Sequence, residues 1–275
     1  MVNTLNIKPY TLNGNSFTMK FSILNSQFSI LLLALCVASC GRQAGNPSDS
    51  PADNPLLDAS HFVTITDVVP DAILEIRYFN TFNFIGSRID GYEQPTALMT
   101  RQAADSLRVV SDELKAQGYL LRIYDAYRPQ CAVDHFVRWG QAIDDTLMRS
   151  YFYPMVDKKD LFRLGYIATQ SSHSRGSTVD LTLFDMRTEK DVDMGGTFDW
   201  FGDESHPDCG GNPETSEYRP NDTITAEQFA NRMLLRNAML RHGFKPYDCE
   251  WWHFTLANEP YPDTYFQFPV RELDE

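Results

Sequence analysis

Two short segments restrict the folds that this chain can adopt. Their side chains form a metal site only if the fold brings the two segments together. The first reads SSHSRGSTVD and the second, about seventy residues later, reads EWWH. His173 and Asp180 of the first segment and His253 of the second offer two imidazoles and one carboxylate as metal ligands. Three protein ligands leave a fourth position for water, which distinguishes a catalytic zinc site from a closed structural one. Glu250, three residues before the last ligand, could accept the proton of that water.

The residues around these ligands predict strands. Residues 177–184 are β-branched and apolar and are suited to a central strand, and residues 251–256 have a similar composition. In an ideal strand, residues three apart face opposite sides of the sheet. Glu250 and His253 can therefore share a site only if Glu250 precedes the paired region or lies at a bulge.

The remainder of the chain alternates between strand-like and helix-like segments. Residues 73–78 predict a strand, residues 100–117 predict an amphipathic helix that ends at Gly118, and residues 119–124 predict a second strand that ends in a turn at Pro129. The helix carries Ala103, Leu107, Val110 and Leu114 on one face.

A further helix is predicted near the C-terminus. Thr225 and Gln228 form a potential capping box, the apolar residues Phe229, Met233 and Leu240 would face inward, and Gly243 would end the helix. This mixed order of elements predicts a single α+β domain with helices packed on one sheet.

The first sixty residues predict an export signal and a tether rather than part of the domain. Residues 1–40 contain a Leu-rich apolar run followed by small residues and Cys40, which resembles a bacterial lipobox whose cysteine is lipidated. Met19 is a potential true start, since Lys20 would supply the basic charge. A plain cleaved signal with an incidental Cys40, or a buried hydrophobic segment, is the alternative. Residues 41–60 are rich in Pro, Gly, Ser and Asp and predict a flexible tether, which leaves residues 61–275 for the domain.

Charge and cysteine content restrict the partners and the cross-links. Lys and Arg number 24 against 37 Asp and Glu, which gives a net charge of −13. This charge argues against a nucleic acid or an anionic membrane surface as partner. An exported protein can form disulfides, but the three cysteines left after Cys40, namely Cys131, Cys209 and Cys249, allow at most one bridge within the chain.

Two His and one carboxylate also occur in the Fe(II) oxygenase triad. That motif usually places His and Asp two residues apart on one strand, whereas His173 and Asp180 are seven apart. The spacing therefore favours zinc, with one ion per chain.

The two metal-ligand segments resemble those of the D-alanyl-D-alanine dipeptidases of the VanX type. These belong to a metallopeptidase group that includes lysostaphin, the zinc D-Ala-D-Ala carboxypeptidases and the hedgehog signalling domain. Further similar stretches are residues 125–129 (DAYRP), 194–199 (MGGTFD) and 259–262 (EPYP). The resemblance implies a central, mostly antiparallel sheet with helices packed on it. It also implies that His173, Asp180 and His253 are zinc ligands and that Glu250 is the catalytic base.

The same resemblance implies roles for residues around the metal. Arg128 would bind the developing oxyanion, Asp199 would bind the substrate ammonium, Ser171 would help to hold the carboxylate, and Tyr78 would line the pocket. The long loop of residues 185–222 would act as a lid that excludes longer peptides. Its segment around residues 209–220 departs from the family pattern, which leaves the size of the pocket open.

The activity implied by the resemblance is zinc-dependent hydrolysis of D-alanyl-D-alanine. The signal-like segment that ends at Cys40 predicts that the enzyme is exported and lipid-anchored, so salvage of D-alanine from wall turnover is the expected role. One alternative is a zinc D,D-carboxypeptidase or endopeptidase that acts on longer peptidoglycan peptides. Another is a metal-holding domain without catalysis, against which Glu250 and Arg128 speak. The sequence does not determine the oligomeric state.

Overall fold

A twisted sheet forms the centre of the computed structural model, which describes residues 54–220 and 223–273. Its strands follow the order β2-β4-β5-β10-β9, and β6 pairs with the end of β5. β2 and β4 are parallel, and the other pairs are antiparallel. The strands of the described residues are β1 Phe62–Thr64, β2 Ile73–Leu74, β3 Leu98–Thr100, β4 Tyr119–Asp125, β5 Thr178–Asp185, β6 Lys190–Asp191, β7 Gly211–Asn212, β8 Glu217–Tyr218, β9 Phe244–Tyr247 and β10 Glu250–Leu256. Two small antiparallel pairs, β1 with β3 and β7 with β8, lie outside this sheet.

Helices complete the layers that cover the sheet. They are α1 Ile65–Val68, α2 Arg101–Lys115, α3 Gln130–Gln141, α4 Arg149–Phe152 and α5 Ala226–Arg241. The four apolar residues predicted to face inward from α2, Ala103, Leu107, Val110 and Leu114, are completely buried. The arrangement confirms the predicted α+β class and its mostly antiparallel sheet.

Helix α5 begins with the predicted capping box. Thr225 Oγ1 accepts from the Gln228 backbone N–H, and Gln228 Oε1 accepts from the Thr225 N–H. The prediction that Leu240 faces inward is wrong, because this side chain is 37% exposed. Phe229 and Met233 pack in a small separate cluster near the N-terminal end of the helix, whereas Met239 packs in the main core at the other end. The buried face therefore rotates along the helix, and Leu240 lies outside it.

The predicted strand over residues 73–78 is shorter than expected. Only Ile73–Leu74 is regular strand, although the Arg77 N–H still donates to the Tyr124 carbonyl. The Asn83 side-chain amide donates to the carbonyls of Arg77, Asn80 and Ser87, which holds the chain in a turn. This turn places Tyr78 beyond the end of β2, in the core.

Strand β4 ends at Asp125, just ahead of the predicted turn at Pro129, and Pro129 also precedes a helix that was not predicted. Its φ of −66° and its missing N–H suit the residue just before α3. Buried Ala132, Val133, Phe136 and Trp139 form the apolar face of α3.

The predicted signal, residues 1–40 with Cys40, lies outside the described residues, as does most of the predicted tether. The last part of that tether contains a 3-10 helix, Pro55–Leu57, and the Leu56 carbonyl accepts from the Gln267 N–H. Residue 56 of the predicted tether therefore contacts the domain. No helix among the described residues is long and apolar enough to cross a membrane. Cys131, Cys209 and Cys249 are free thiols.

Candidate active site

The three predicted ligands converge because of strand register. Asp180 on β5 and His253 on β10 are directly paired, so their side chains leave the same face of the sheet. His173 comes from a 3-10 helix, Ser172–Arg175, just before β5. His253 Nδ1 lies 3.1 Å from Asp180 Oδ1 and 3.2 Å from His173 Nε2. His173 Nε2 lies 3.2 Å from Asp180 Oδ2.

Hydrogen bonds orient both imidazoles with one nitrogen toward this point. His173 Nδ1 donates to the Ala126 carbonyl at 2.6 Å, which leaves the Nε2 lone pair free. His253 Nε2 lies 3.1 Å from Ser172 Oγ, so the hydroxyl can accept its proton and leave Nδ1 free. Two imidazole nitrogens and a carboxylate oxygen within 4.8 Å of one another form a donor set that fits a divalent metal such as zinc.

Without a metal, these groups strongly perturb one another. Burial lowers the pKa of His253, but the hydrogen bonds that its ring donates to the carboxylates of Asp180 and Glu250 outweigh burial and raise this pKa to about 9. Burial raises the pKa of the Asp180 carboxyl, but the charges and hydrogen bonds of His173 and His253 hold it well below its usual range. The cluster therefore stabilises positive charge beside Asp180, which a bound cation would supply.

Glu250 reaches the same point through an irregular strand. The pairing of β10 with β9 shifts register between Glu250 and Phe254, which is the irregularity that the sequence required. Glu250 Oε2 consequently lies 3.3 Å from His253 Nδ1. This carboxylate is 32% exposed, so it borders the cluster from the solvent side.

Arg128, just after β4, is held beside the cluster by a residue whose role the sequence did not suggest. Its guanidinium contacts Asp125 Oδ2 at 2.8 Å and Asp180 Oδ2 at 3.4 Å. Asp125 is buried, and the Tyr92 hydroxyl donates to it at 2.6 Å. The guanidinium also lies 4.9 Å from the ring centroid of Tyr78. The sequence feature that could have indicated this role of Asp125 is its spacing from Arg128, because two residues that lie three apart across the end of a strand can form an ion pair.

Tyr78 and Asp199, 121 residues apart in sequence, form a buried pair. The Tyr78 hydroxyl lies 3.1 Å and 3.0 Å from the two Asp199 carboxylate oxygens and donates to this group. Asp199 has a left-handed φ of 60°, which Asp tolerates better than most residues. Burial, and next the charge of Asp180, raise the pKa of Asp199 well above its usual range. A cation beside this carboxylate would therefore be strongly favoured.

Ser171 lies on the wall of the same cavity, but its hydroxyl already has a structural contact. It caps the 3-10 helix by accepting from the His173 N–H at 3.3 Å. The residue therefore helps to place His173, whatever it offers to a substrate.

All the predicted site residues line one cavity of about 370 Å³. The predicted lid of residues 185–222 contributes only Asp199 and Phe201 to its wall. The family-divergent part of that loop instead packs against α5, where Cys209 and Tyr218 contact the Phe229 cluster. The prediction of a lid over residues 185–222 is thus wrong for most of the loop.

Segments that the sequence did not single out supply the remaining walls. They comprise residues 165–168, the aromatic side chains Phe84 and Phe136, and Lys245, Pro246 and Tyr247 of β9. Tyr166 stacks on Phe201 with ring centroids 4.7 Å apart, which closes one side of the cavity. Residues 165–168 belong to an irregular segment without a periodic pattern, so pattern analysis could not find them.

Comparisons with known proteins identify the family of this chain. The family model of the M15 peptidases, described as D-Ala-D-Ala dipeptidase, matches residues 58–271. A protein of Enterococcus faecalis named D-alanyl-D-alanine dipeptidase is 39% identical over 209 residues, which cover 76% of this chain and 98% of the relative. Proteins of the same name from Enterococcus faecium and Escherichia coli are 36% and 32% identical, over 76% and 72% of this chain and 98% and 86% of their own lengths. Since these matches span most of its length, the chain belongs to peptidase family M15.

Proposed function

We propose that this protein is a zinc-dependent dipeptidase that hydrolyses D-alanyl-D-alanine to two molecules of D-alanine. The observation that carries the proposal is the placement of two sets of groups in one cavity. A His-Asp-His cluster with an adjacent carboxylate lies beside a buried carboxylate that suits a free ammonium. Three relatives that share 36–39% of their residues with this chain carry the name of this activity.

His173, Asp180 and His253 would hold the metal. Zinc fits this set because two imidazoles and one carboxylate leave a position for substrate or water. When bound, zinc polarises the peptide carbonyl and lowers the pKa of a water molecule. Metal analysis tests this assignment: we expect one zinc per chain, and iron at stoichiometry with activity lost on zinc substitution would contradict it.

Glu250 and Arg128 would act on the reacting atoms. Glu250 would accept a proton from the attacking water and deliver it to the leaving amine. Arg128 would donate to the oxygen that becomes negative as water attacks the carbonyl. Its hydrogen bond to Asp125 fixes the direction of the guanidinium in advance, so little reorientation is needed during the reaction.

Asp199 and Tyr78 would hold the substrate ammonium, and Ser171 would help to hold the carboxylate at the other end. A free dipeptide carries both charges, and a site that buries it needs a partner for each. The Asp199 carboxylate meets this need at the ammonium end, since it is only 7% exposed and, within the part of the chain that the structure describes, the Tyr78 hydroxyl is its hydrogen-bond donor.

Steady-state kinetics of Glu250→Gln tests the function. We expect kcat for D-Ala-D-Ala to fall by about 10²- to 10⁴-fold, because the base is lost while the metal ligands remain. Glu217→Gln, which changes an exposed carboxylate on the distant strand β8, is the control and should leave kcat unchanged. Unchanged turnover in Glu250→Gln would refute the assigned base.

The substrate class is tested by comparing D-Ala-D-Ala with a blocked, longer muropeptide. The dipeptide should be hydrolysed much faster. Strong activity on the longer peptide and none on the dipeptide would replace the proposal with a D,D-carboxypeptidase or endopeptidase.

Export and lipidation at Cys40 are part of the proposal, because residues 29–40 have the order of a lipoprotein signal. An enzyme outside the cytoplasm cannot reach the cytoplasmic pool of cell-wall precursor, so salvage of D-alanine from wall turnover is its proposed role. Cell fractionation and mass spectrometry of the mature N-terminus test this. A cytosolic protein without lipid on Cys40 would refute it.

A further inference from the structure

Three side-chain cations other than histidine line the cavity, and two of them are already paired. Arg128 contacts Asp125 and Asp180, as described above. Arg175 forms a two-pronged ion pair with Glu259 at 2.8 Å and 2.9 Å. Lys245 forms no ion pair within residues 54–220 and 223–273, although it lines the same cavity.

The order of the strands places these groups along a line across the sheet. Tyr78 follows β2, Arg128 follows β4, Asp180 lies on β5, His253 lies on β10 and Lys245 lies on β9. The pair of Tyr78 and Asp199 therefore lies toward one edge of the sheet, the metal ligands lie in the middle, and Lys245 lies on the opposite edge strand.

The register of β9 directs Lys245 to the cavity side of the sheet. Phe244, its neighbour, is buried in the core, so Lys245 faces the other way. Lys245 is paired with Thr255, which also lines the cavity. Thr255 is two residues from His253, so both side chains leave the same face of β10. Lys245 thus lies on the edge strand beside Thr255, on the same face of the sheet as the metal ligand His253.

The proposed binding mode sets the direction of a dipeptide along this line. With its ammonium at Asp199 and its peptide carbonyl at the metal ligands, its carboxylate must extend toward β9. Adjacent strands lie about 4.8 Å apart, so β9 is about 7 Å from the middle of β5 and β10. One residue spans about 3.5 Å of this distance. The flexible four-carbon stem of Lys245 covers the rest, together with the offset of two residues along β10 between its paired residue Thr255 and His253.

We propose that Lys245 binds the free carboxylate of the substrate and makes the enzyme favour peptides with an unblocked C-terminus. This inference rests on the proposed dipeptidase function. It adds a counter-charge to the hydroxyl of Ser171, which alone cannot neutralise a carboxylate.

Kinetics of two Lys245 variants on D-Ala-D-Ala tests the proposal. Lys245→Met keeps the length of the stem and removes the charge, and we expect KM to rise about fivefold to tenfold with kcat within twofold. Lys245→Arg keeps the charge and should leave KM within about twofold of the wild-type value. Lys190→Met, on the exposed strand β6, removes a charge from the same sheet outside the cavity and is the control.

A second measurement uses D-Ala-D-Ala amide, which has no negative charge, as a competitive inhibitor. Its inhibition constant should be equal within twofold for the wild type and for Lys245→Met. A KM for Lys245→Met equal to that of Lys190→Met, or an equal loss of affinity for acid and amide, would overturn the role of Lys245. Absence of D-Ala-D-Ala hydrolysis in the wild type would instead refute the dipeptidase proposal itself.

Discussion

Adding a methyl group at Gly176 should destabilise the segment that carries the predicted ligand His173. Gly176 follows the 3-10 helix that carries His173 and turns the chain into β5 with a left-handed φ of 81°. A Cβ atom added here would lie 2.3 Å from both Cε1 and Cζ of Phe62 and 3.1 Å from Thr100 Cγ2. The Phe62 ring cannot easily move away, because the rings of Tyr127, Phe266 and Phe268 surround it with centroids 4.8–5.1 Å away.

Two costs therefore add in Gly176→Ala. A left-handed backbone costs an L-residue about 1–2 kcal/mol. Overpacking a filled site costs about 1–3 kcal/mol more. We expect the free energy of unfolding to fall by about 2–5 kcal/mol. Gly118→Ala is the matched control, since its φ is 93° and nothing lies within 4 Å of the added Cβ. This variant should show only the backbone cost of about 1–2 kcal/mol.

Urea unfolding of the metal-loaded full-length protein measures both values. Equal destabilisation of Gly176→Ala and Gly118→Ala would refute the argument, because the contact with Phe62 would then cost nothing. The double variant Phe62→Ala/Gly176→Ala provides an independent measurement. Removing the ring should cancel the overpacking, so the double variant should be about 1–3 kcal/mol more stable than the sum of the single effects predicts.

Three further predictions concern separate parts of the protein. Arg128→Lys should lower kcat by about 10²-fold or more. A lysine cannot keep both contacts with Asp125 and also donate to the oxyanion. A kcat within twofold of the wild-type value would contradict this prediction. Thr225→Ala should reduce the free energy of unfolding by about 1 kcal/mol in urea without changing kcat, because only the cap of α5 is lost. Hydrogen bonds from Arg241 and His242 lower the pKa of Glu113 in the folded protein. The ionised Glu113 therefore stabilises the fold above pH 4.5, its ordinary pKa, and this stabilisation is lost as the pH falls through the lowered pKa. The difference in urea midpoint between wild type and Glu113→Gln should therefore be largest at neutral pH and vanish in acid, and a difference that grows in acid would contradict the assignment.

The sequence predicts those parts of this fold that depend on periodicity and on local hydrogen bonds. Helix α2 and the capping box of α5 are of this kind, and so is the strand that carries Asp180. The irregular entry of β10 was also predictable, because two groups three residues apart had to share a site. These features are decided by residues close to one another in the chain.

Features decided by tertiary packing were not predictable in the same way. Leu240 satisfies the helical period but lies outside the core, because the two ends of α5 pack against different clusters. Residues 185–222 have the length of a lid, yet most of the loop packs on α5 instead of covering the cavity. The proposed role of Lys245 could not be predicted from the sequence. It depends on the register of β9, which places this lysine on the same face of the sheet as His253.

Formal charge explains why the cavity should require a free amino group as well as a metal. Asp180, Asp199 and Glu250 line it. Of the cations, Arg128 is shared with the buried carboxylate of Asp125, Arg175 is paired with Glu259, and Lys245 lies on β9, the edge strand opposite Asp199. A divalent metal would offset negative charge beside Asp180, but Asp199 is buried and, among residues 54–220 and 223–273, its hydrogen-bond donor is the Tyr78 hydroxyl. On the proposed binding mode, the substrate ammonium supplies the missing positive charge. A peptide with a blocked amine brings no such charge. Asp199, whose pKa is already raised by burial, must then take up a proton or remain charged without a counter-ion, and either cost selects against the peptide.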